Sequence, residues 1–384
     1  MEKKIPKVIM IASQEIIEEQ SDGGKKGSFR NFELLKEVFG VSNVYICMFT
    51  DHTSKARSDS HIWRLKIRQN YCIRMINILQ GRFFSNKKSE KKVIDFIIRE
   101  KFDIVFIDRS LFGKLAYEIR KVSTCKIWVF THNLEKNYFR NKLRKMPLLS
   151  SVICRKIEKS EGTAFHQADC IFALTKRDAD LIDEIYGCKA RYIIPSSFRD
   201  RYDVEKAESN MSEKLSLLFI GTMFGPNYNG IKWFVDNVMS KLGDVQLKIV
   251  GKNFEIKRSE LESANVEVIG TVDDLESYYY SRAVMVMPVF YGDGQKIKTV
   301  EAMMYGKVIL ATNEALEGYD VDGTPGIFRC NTEEEFISVI HDLKHNGVPN
   351  EYSVSVRNLF LDKYSFQSIV NKYRKILIME YEQV

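Results

Sequence analysis

The stretch GDGQKIKTVEAMMYGKVILAT, residues 292–312, combines acids and lysines where a loop passes into a helix. Asp293 lies between two glycines, Lys296 and Lys298 follow it, and Glu301 comes eight residues after Asp293. Free backbone amides at a helix start, together with lysines, bind anions such as phosphate. Because an acid repels an anion, the two carboxylates are better suited to accept hydrogen bonds from hydroxyl groups. The stretch therefore predicts a site for pyrophosphate flanked by two sugars.

A histidine and an asparagine occupy a second loop of this kind. The segment THNLEKNYFRN (131–141) follows the apolar run KIWVF, so His132 and Asn133 come directly after a buried strand. In doubly wound sheets, ligands bind at the carboxyl ends of the strands. Imidazole also titrates near neutral pH. We therefore expect His132 to face a ligand cleft, with a packed structural histidine as the alternative.

A third loop follows the apolar run that opens the second half of the chain. In FIGTMFGPNYNGIKWF (219–234), Gly221 and Gly225 allow the backbone to approach a ligand closely. Pro226 and Asn227 favour a turn before the next helix. The N-terminus of that helix suits contacts to phosphate or sugar.

A glycine-rich segment, SDGGKKGSF (21–29), precedes the first long helical pattern. We interpret it as a flexible loop that opens this helix. The backbone amides and the lysine of Gly23, Gly24 and Lys25 are candidates for contact with an anionic group in the cleft. An ordinary surface loop is the alternative.

Three familiar motifs are absent or have another explanation. ASQEIIEEQ follows the first strand in place of G-x-G-x-x-G, which argues against a nicotinamide dehydrogenase. The segment 21–29 lacks the spacing of a P-loop, which argues against a nucleotide triphosphatase. The acidic pair in DAD (178–180) could hold a metal, but Thr175 and Asp178 have the spacing of a helix cap, so we expect a helix start there.

Length and composition indicate a globular protein of two domains. The chain has 384 residues, and 45% of them are hydrophobic. No run of about 18 apolar residues is present, so no membrane-spanning helix is expected. The first apolar run, near residues 7–12, is too short for a signal peptide and is better interpreted as a buried strand. Seven scattered cysteines without a C-x-x-C pair indicate a reducing compartment and argue against structural zinc.

Apolar, β-branched runs alternate with helical patterns along both halves of the chain. Strands this apolar are covered on both faces, which is typical of parallel sheets with helices on each side. The polar segment 198–214 separates the two sets and predicts a linker. We therefore expect an α/β fold with two doubly wound, Rossmann-like domains facing across a cleft. The predicted boundaries are 1–197 for the first domain, 198–214 for the linker, 215–360 for the second domain and 361–384 for a C-terminal helix that crosses back to the first domain.

The positive charge is concentrated in one window. Residues 51–100 hold 12 lysines and arginines against 5 aspartates and glutamates, a surplus equal to the net charge of +7 for the whole chain. Aromatic residues lie among these cations, and residues 61–79 are interpreted as one helix of mixed apolar and basic character. An anionic membrane surface is the partner that this pattern predicts, and no nucleic-acid partner is expected. A solvated helical hairpin is the alternative.

Taken in order, these segments resemble glycosyltransferases of family 4, which have the GT-B fold. GDGQKIKTVEAMMYGKVILATNEALEGYD is similar to the donor-binding block of that family, in which a glycine loop leads into a helix with an E-A-M sequence. THNLEKNYF resembles its H-N-x-E segment, and LLFIGTMFGPNYNGIKWF resembles the first strand and loop of its second domain. EKSEGTAFHQADCIFALTKRD resembles the helix, A-D pair, strand and turn between them. The resemblance covers nearly the whole chain, and it is specific to the family rather than to a substrate.

The resemblance implies a retaining transfer from a nucleotide-activated sugar, without a catalytic metal or any other cofactor. Asp293 and Glu301 match the acids of the E-x7-E motif, which contact the transferred sugar and the nucleotide ribose, although aspartate replaces the first glutamate. His132 matches the cleft histidine near the donor sugar. These three are the predicted catalytic residues. The loop GTMFGPNYNG lacks the arginine and lysine that many members carry, and we infer that Lys296 and Lys298 bind the pyrophosphate instead. The second domain is thus predicted to bind the donor and the first to lie on the acceptor side. The predicted acceptor-side residues are Gly23, Gly24, Lys25 and Asn133. The predicted donor-binding residues are Gly221, Thr222, Gly292, Gly294, Gln295, Lys296, Ile297, Lys298 and Glu301.

The sequence thus predicts a hexosyltransferase-type enzyme of cell-surface polysaccharide biosynthesis. It would move a sugar from a UDP- or GDP-type donor to a glycan or lipid-linked glycan. A cytoplasmic location, peripheral at the inner membrane face through residues 51–100, is expected. Two alternatives stay open: a nucleotide-sugar epimerase or hydrolase, which would release nucleotide without an acceptor, and a non-catalytic subunit, which would bind the donor without turnover.

Overall fold

The computed structural model describes residues 5–16, 23–50, 61–67, 71–142, 147–208, 215–292 and 294–381. The chain divides into two compact units. Unit 1 comprises residues 1–195 and 370–384, and unit 2 comprises residues 196–369. The segment 198–214, predicted as a separate linker, is assigned to unit 2.

Unit 1 is built on a seven-stranded parallel sheet with the order β3-β2-β1-β4-β5-β6-β7. All five residues of the strand β1 are buried, because helices cover both faces of the sheet. The strands are β1 (Val8–Ala12), β2 (Val44–Thr50), β3 (Ile62–Lys66), β4 (Ile104–Asp108), β5 (Lys126–Thr131), β6 (Cys170–Ala173) and β7 (Tyr192–Ile193).

The helices of unit 1 correct two predictions from the sequence. The segment 61–79 is not one helix, because its first part is the edge strand β3, which pairs with β2. The glycine segment 21–29 is not a loop over its whole length, because the first helix already begins at Gly23. The helices are α1 (Gly23–Phe39), α2 (Tyr71–Leu79), α3 (Lys87–Glu100), α4 (Gly113–Val122), α5 (Glu135–Lys142), α6 (Pro147–Gln167) and α7 (Lys176–Tyr186). The predicted helix cap at Thr175 is confirmed, since its hydroxyl accepts a hydrogen bond from the amide of Asp178 at 3.0 Å.

Unit 2 repeats the same design with a six-stranded parallel sheet of order β10-β9-β8-β11-β12-β13. Its strands are β8 (Ser216–Ile220), β9 (Gln246–Val250), β10 (Val266–Gly270), β11 (Val284–Met287), β12 (Ile309–Ala311) and β13 (Ile327–Arg329). Its helices are α8 (Val204–Glu208), α9 (Gly225–Asn237), α10 (Arg258–Leu261), α11 (Glu276–Tyr280), α12 (Ile297–Met304), α13 (Glu333–Asn346) and α14 (Asn350–Leu359). One turn of π-helix, Phe360–Tyr364, follows α14.

The last helix, α15 (Phe366–Tyr381), begins in unit 2 and ends in unit 1. Its second half packs on the last strands of the unit 1 sheet. Tyr373 is buried and stacks on Phe172 with ring centroids 5.6 Å apart. Glu380 accepts a hydrogen bond from the hydroxyl of Tyr192 at 2.8 Å. Among the described residues, no helix combines the length and the apolar character that crossing a bilayer requires.

The strand order of each sheet reverses at one point, and this defines where ligands of such sheets bind. In unit 1 the order turns between β1 and β4, and in unit 2 it turns between β8 and β11. Loops that leave the carboxyl ends of these strand pairs diverge to opposite faces of the sheet and leave a crevice between them. The candidate site residues therefore have to be sought at these two crevices.

Candidate functional site

The crevice of unit 2 is closed at its base by backbone that only glycine permits. Gly251, after β9, has φ +136°, and a Cβ placed on it would lie 1.9 Å from the carbonyl oxygen of Gly221. A Cβ on Gly221 would lie 2.9 Å from the Nδ2 of Asn227 and 3.3 Å from the Nζ of Lys298. Gly221 therefore allows these two side chains to reach the end of β8, as expected for a glycine beside a ligand.

Lys298 contributes a cation to this crevice. Its Nζ donates a hydrogen bond to Asn227 Oδ1 at 2.5 Å and lies 4.5 Å from the ring centroid of Phe219. Asn227 is buried and oriented in turn by a hydrogen bond from its Nδ2 to the carbonyl oxygen of Thr222 at 2.8 Å. Burial, and secondarily the charge of Lys296, lower the pKa of Lys298 to about 7. No carboxylate among the described residues pairs with Lys298, so its ammonium is available to an anion.

Glu301 lies on the same face of α12 as Lys298, because residues three apart are neighbours on a helix surface. Both side chains are partly exposed, whereas Thr299, Val300 and Ala302 on the other faces are buried. The hydroxyl of Tyr279 donates a hydrogen bond to Glu301 Oε2 at 3.3 Å. Tyr279 is fixed by stacking on Tyr305, with centroids 4.8 Å apart and ring planes 9° apart. One face of α12 thus presents an ammonium and an oriented carboxylate.

The loop before α12 is held by its own side chains. Lys296 Nζ forms an ion pair with Glu314 Oε1 at 2.7 Å and donates to the carbonyl oxygen of Gly294 at 2.8 Å. The amide group of Gln295 bridges the backbone NH of Ser196 and the carbonyl oxygen of Gly318, at 2.6 and 2.7 Å. These two side chains stabilise the loop, so Lys296, predicted to bind the pyrophosphate together with Lys298, is instead paired with Glu314 in this structure.

The remaining predicted donor-binding residues include two glycines with positive φ angles. Gly292 has φ +147° and Gly294 has φ +65°, conformations that other residues rarely adopt. Ile297 is the first residue of α12, and Thr222 is exposed beside Gly221. Asp293 lies outside the described residues, so its role as the first acid stays a prediction.

The crevice of unit 1 holds His132 in a buried polar cluster. Its Nε2 lies 2.9 Å from Oδ1 of Asp108, the last residue of β4, and the residue is only 7% exposed. Asn31 of α1 donates from Nδ2 to the same oxygen at 2.7 Å. A Cβ on Gly27 would lie 3.0 Å from both Nδ1 and Cε1 of the ring. The beginning of α1 therefore contacts the histidine directly.

The electrostatics of this cluster favour an ionised Asp108. Burial raises the pKa of its carboxyl, but the charge of His132 and hydrogen bonds from His132, Ser28 and Asn31 outweigh that effect, and the pKa is lowered below its ordinary value. Because an ionised carboxylate only accepts hydrogen bonds, Nε2 of His132 is the donor. Nδ1 is then the ring nitrogen that faces α1.

The other predicted residues of unit 1 lie near this cluster in the chain. Asn133 is partly exposed next to His132. Gly23, Gly24 and Lys25 form the first turn of α1, so their expected place in a flexible loop is corrected.

A buried carboxylate that the sequence did not reveal fixes the helix after His132. Glu161 of α6 is fully buried and accepts hydrogen bonds from the amides of Glu135 and Lys136 at 3.0 Å each. The hydroxyls of Ser110 and Tyr186 also donate to it, at 2.6 and 2.9 Å. Because these amides open α5, Glu161 acts as the cap of that helix and thereby sets its start.

A second buried acid lies beside this cap. Burial raises the pKa of Glu135 to about 7, although the guanidinium of Arg109, 3.6 Å away, opposes the shift and Glu161 adds to it. Arg109 has φ +127°, a conformation that costs a non-glycine residue on the order of 1–3 kcal/mol. Backbone strain therefore occurs directly after Asp108, at the crevice of unit 1.

Comparison with known proteins agrees with this geometry. Residues 214–346 match the family model described as glycosyl transferases group 1. The matched residues lie within unit 2. The matched range runs from just before β8 to the end of α13 and so contains the whole crevice with Lys298 and Glu301. The glycosyltransferase resemblance is confirmed at this level, and family 4 within it stays a prediction.

Known proteins similar over the wider chain are distant in sequence. An "uncharacterized 44.6 kDa protein in cps region" of Klebsiella pneumoniae is 20% identical over 285 residues, covering 67% of this chain and 70% of that protein. The lipopolysaccharide outer core galactosyltransferase WaaB is 12% identical, with a TM-score of 0.69 over 97% of this chain and 99% of WaaB. Alr3699/HepE of Anabaena, in complex with UDP and glucose, is 11% identical, with a TM-score of 0.64 over 97% of this chain and 99% of that one. These structures confirm the predicted GT-B fold.

Proposed function

We propose that the protein transfers a hexose from a UDP- or GDP-type nucleotide sugar to a glycan or lipid-linked glycan, with retention of the anomeric configuration. The observation that carries the proposal is the shared face of α12, where Lys298 and Glu301 are three residues apart and Lys298 adjoins Gly221 at the crevice of unit 2. An ammonium suits the diphosphate, and a carboxylate suits ribose hydroxyls. The binding of UDP by the structurally similar HepE supports this donor class.

The proposed reaction requires stabilisation of the negative charge on the leaving diphosphate. The bond from the sugar C1 to the diphosphate oxygen breaks, and the acceptor oxygen forms the new bond to C1 on the same face. The proton of the acceptor hydroxyl passes to the leaving diphosphate. Lys298 and the amides at the start of α12 stabilise the negative charge that develops on this group. No metal or other cofactor takes part in the proposed reaction.

The proposed acceptor belongs to cell-surface polysaccharide biosynthesis. The name of the similar WaaB refers to the lipopolysaccharide outer core, and that of the Klebsiella relative refers to a cps region. An acceptor requirement separates this function from an epimerase or hydrolase, which would consume the donor alone. Turnover of any kind excludes a non-catalytic subunit.

Substitution of Glu301 by glutamine tests the nucleotide site. We expect UDP- or GDP-sugars to raise the unfolding temperature of the wild-type protein, by mass action on the folded state. Glu301→Gln should weaken that binding about tenfold or more, because a hydrogen bond to a charged group contributes on the order of 1.5–3 kcal/mol. Thermal-shift titrations provide the measurement. Glu334→Gln, an exposed residue of α13, is the matched control.

Two outcomes would contradict the proposal. If no nucleotide sugar stabilised the wild-type protein, the donor class would be wrong. If Glu301→Gln bound the donor as tightly as the Glu334→Gln control, Glu301 would not be part of the site.

A membrane surface is the second partner that we propose, and the structure changes the residues involved. Within the segment 61–79, Arg64 is paired with Glu15 at 3.0 Å and Arg68 lies outside the described residues, so we do not assign the membrane contact to these two cations. The exposed apolar residues of α2 are Ile73, Ile76 and Leu79, at 48%, 52% and 50% exposure. The exposed cations at the start of α3 are Lys87, Lys88, Lys91 and Lys92.

Arg82 ties these two helix ends together. Its backbone NH donates to the carbonyl oxygen of Asn77 in α2 at 2.8 Å, and its Nε donates to Glu90 Oε2 in α3 at 2.7 Å. The lysines therefore lie close to the carboxyl end of the apolar helix. Apolar side chains that enter a lipid interface beside lysines that meet anionic headgroups are typical of peripheral membrane binding.

We expect the protein to co-sediment with vesicles that contain phosphatidylserine, and less as salt rises. Changing Lys87, Lys88, Lys91 and Lys92 to glutamine should weaken this binding strongly, since each basic residue near such a surface contributes about 1 kcal/mol. A matched control changes four exposed lysines of unit 2, Lys241, Lys248, Lys344 and Lys363. Equal binding by both variants, or no binding by the wild-type protein at low salt, would show that the basic residues of 51–100 form a solvated surface and do not bind a membrane.

A further inference from the structure

A cavity of about 500 Å³ lies between α5 and α6 in unit 1. Lys136 and Arg140 line it from α5, and they are four residues apart on one face of that helix. Ser151, Arg155 and Glu158 line it from α6, with Ser150 beside them. Its volume lies within the range of about 300–1,000 Å³ that is typical of small-molecule sites.

The charge of this cavity is unbalanced toward cations. Glu158 is the single acid in its lining, and it is paired with Lys136, whose Nζ lies 2.8 Å from its Oε1. Arg140 and Arg155 are exposed, and neither has an acidic partner in the part of the chain that the structure describes. Two guanidinium groups at one cavity repel each other unless an anion lies between them. A bound anion would remove that repulsion.

The side chains that line the cavity are suited to bind a phosphate or a carboxylate group. The planar guanidinium donates two parallel hydrogen bonds, a geometry that matches phosphate and carboxylate. The hydroxyls of Ser150 and Ser151 can donate to the same group or to neighbouring sugar hydroxyls. A purely apolar ligand would leave all of these donors unsatisfied, at a cost in free energy.

The place of the cavity in the fold points to the acceptor. Lys136 lies in the first turn of α5, four residues after His132 and next to the amides that Glu161 caps. The cavity is therefore built on the element that leaves the carboxyl end of β5, the end at which ligands of this sheet bind. The larger cavity of unit 1 is at the opposite edge, lined by residues that precede β4 and β5 such as Phe102, Asp103 and Cys125.

We propose that the cavity between α5 and α6 binds an anionic group, phosphate or carboxylate, on the acceptor sugar. This inference rests on the proposed function, because it names the substrate class of the transfer. Arg140 and Arg155 are the residues that hold the anion. The acceptor is thus a phosphorylated sugar or a uronic acid rather than a neutral glycan.

Binding of small anionic sugars to the full chain tests the proposal. The protein is first saturated with UDP, so that the nucleotide site is occupied. Glucose 6-phosphate, glucuronate and glucose are then titrated and followed by saturation-transfer NMR. We expect one of the two anionic sugars to bind at least about tenfold more tightly than glucose. The double substitution Arg140→Gln with Arg155→Gln should abolish that preference, and Lys156→Gln with Lys159→Gln, on α6 outside the lining, should keep it.

The outcomes separate this proposal from the others. Equal binding of all three sugars, or a preference that survives in the Arg140→Gln, Arg155→Gln variant, overturns it. Loss of phosphatidylserine vesicle binding in that variant, without any preference for an anionic sugar, would also overturn it and assign the arginines to the membrane. If UDP itself fails to bind the wild-type protein, the proposed nucleotide site fails, whereas a preference for an anionic sugar measured without UDP would still support the cavity.

Discussion

Replacement of Lys298 by methionine should weaken the binding of UDP about ten- to a hundredfold. The ammonium of Lys298 is held by Asn227 and by the ring of Phe219, and no carboxylate of the described residues competes for it. A hydrogen bond between an ion and its partner contributes on the order of 1.5–3 kcal/mol, and about 1.4 kcal/mol corresponds to a factor of ten in affinity. Methionine keeps most of the length of lysine and its contact with Phe219, so the loss of charge is the main change.

The pH dependence of UDP-glucose binding provides the sharper test of Lys298. Burial lowers the pKa of this group to about 7 in the free protein. A bound diphosphate favours the charged form and raises the pKa, so binding takes up a proton above pH 7. The affinity of the wild-type protein should therefore fall by up to about tenfold per pH unit as the pH rises above 7. UDP-glucose is the suitable probe, because its diphosphate carries no group with a second phosphate pKa near 6.

The lowered pKa of Lys298 also predicts how the substitution Lys298→Met changes the dependence of stability on pH. The folded-state pKa of Lys298 is below its unfolded value, so the unfolded chain binds the additional proton between about pH 7 and 10.5. The contribution of Lys298 to stability therefore falls as the pH falls through this window, and the methionine variant lacks this loss. We expect Lys298→Met to unfold at an equal or higher temperature than the wild-type protein at pH 7.

Calorimetric titration at pH 6.5 and 8.5 measures the binding effects. Lys232→Met, which removes a partly exposed lysine of α9 paired with Asp236, is the matched control. Wild-type affinity in Lys298→Met, or a pH dependence that persists in it, would show that the diphosphate binds elsewhere. A variant that fails to fold is ruled out by the unfolding measurement above.

The architecture and the approximate position of the nucleotide site follow from local patterns in the sequence. Strands such as VIMIA and SLLFI are uniformly apolar because both faces of each sheet are covered. The loops after them contain the crevices because parallel strands all end at one edge. The spacing of Lys298 and Glu301, three residues apart in a helix, places both on one face before any tertiary contact is known.

The partners of the site residues could not be predicted in this way, because they are distant in the chain. Asp108 and Asn31 are 77 residues apart, and Lys298 and Asn227 are 71 apart. Lys296 resembles Lys298 in sequence, yet its ion pair with Glu314 depends on the path of the chain after β12. One local signal was available: Asp108 is a charged residue at the carboxyl end of an apolar strand.

The wrong helix at residues 61–79 also has a physical explanation. Leu65 and Ile67 are buried and Lys66 between them is exposed, an alternation with the period of two that a strand requires. The alternation covers few residues because β3 is a short edge strand. The helical pattern of α2 begins at Tyr71, directly after the undescribed residues 68–70. Because α2 is longer than β3, its helical period dominated the interpretation of residues 61–79 as a single helix.

Substitution of His132 by alanine should reduce turnover at least about tenfold and change the affinity for UDP less than about twofold. His132 is at the crevice of unit 1, whereas the residues that bind the nucleotide in our proposal belong to unit 2. Turnover is measured as release of UDP from a UDP-sugar in the presence of an acceptor. His166→Ala, which changes an exposed histidine of α6, is the matched control.

Asp108→Asn separates orientation of the imidazole from its presence. The ionised carboxylate accepts the Nε2 hydrogen of His132 at 2.9 Å, whereas an asparagine amide group offers hydrogens of its own and permits a rotated ring. We therefore expect Asp108→Asn to lower kcat in the same direction as His132→Ala, with the KM for the donor nearly unchanged. An unchanged kcat in either variant would make the pair a structural contact of the core.

The acid stability of the protein tests whether the carboxyl group of Asp108 is ionised in the folded state. Its folded-state pKa is below the unfolded value, so its contribution to stability is present above the unfolded pKa, about 3.9. That contribution is lost as the pH falls through the lower folded-state pKa. Asp108→Asn should therefore be less stable than the wild-type protein at pH 7, and the difference should shrink below pH 4. If turnover falls while the difference in stability is the same at both pH values, the carboxylate positions His132 without being ionised in the fold, and the lowered pKa is wrong.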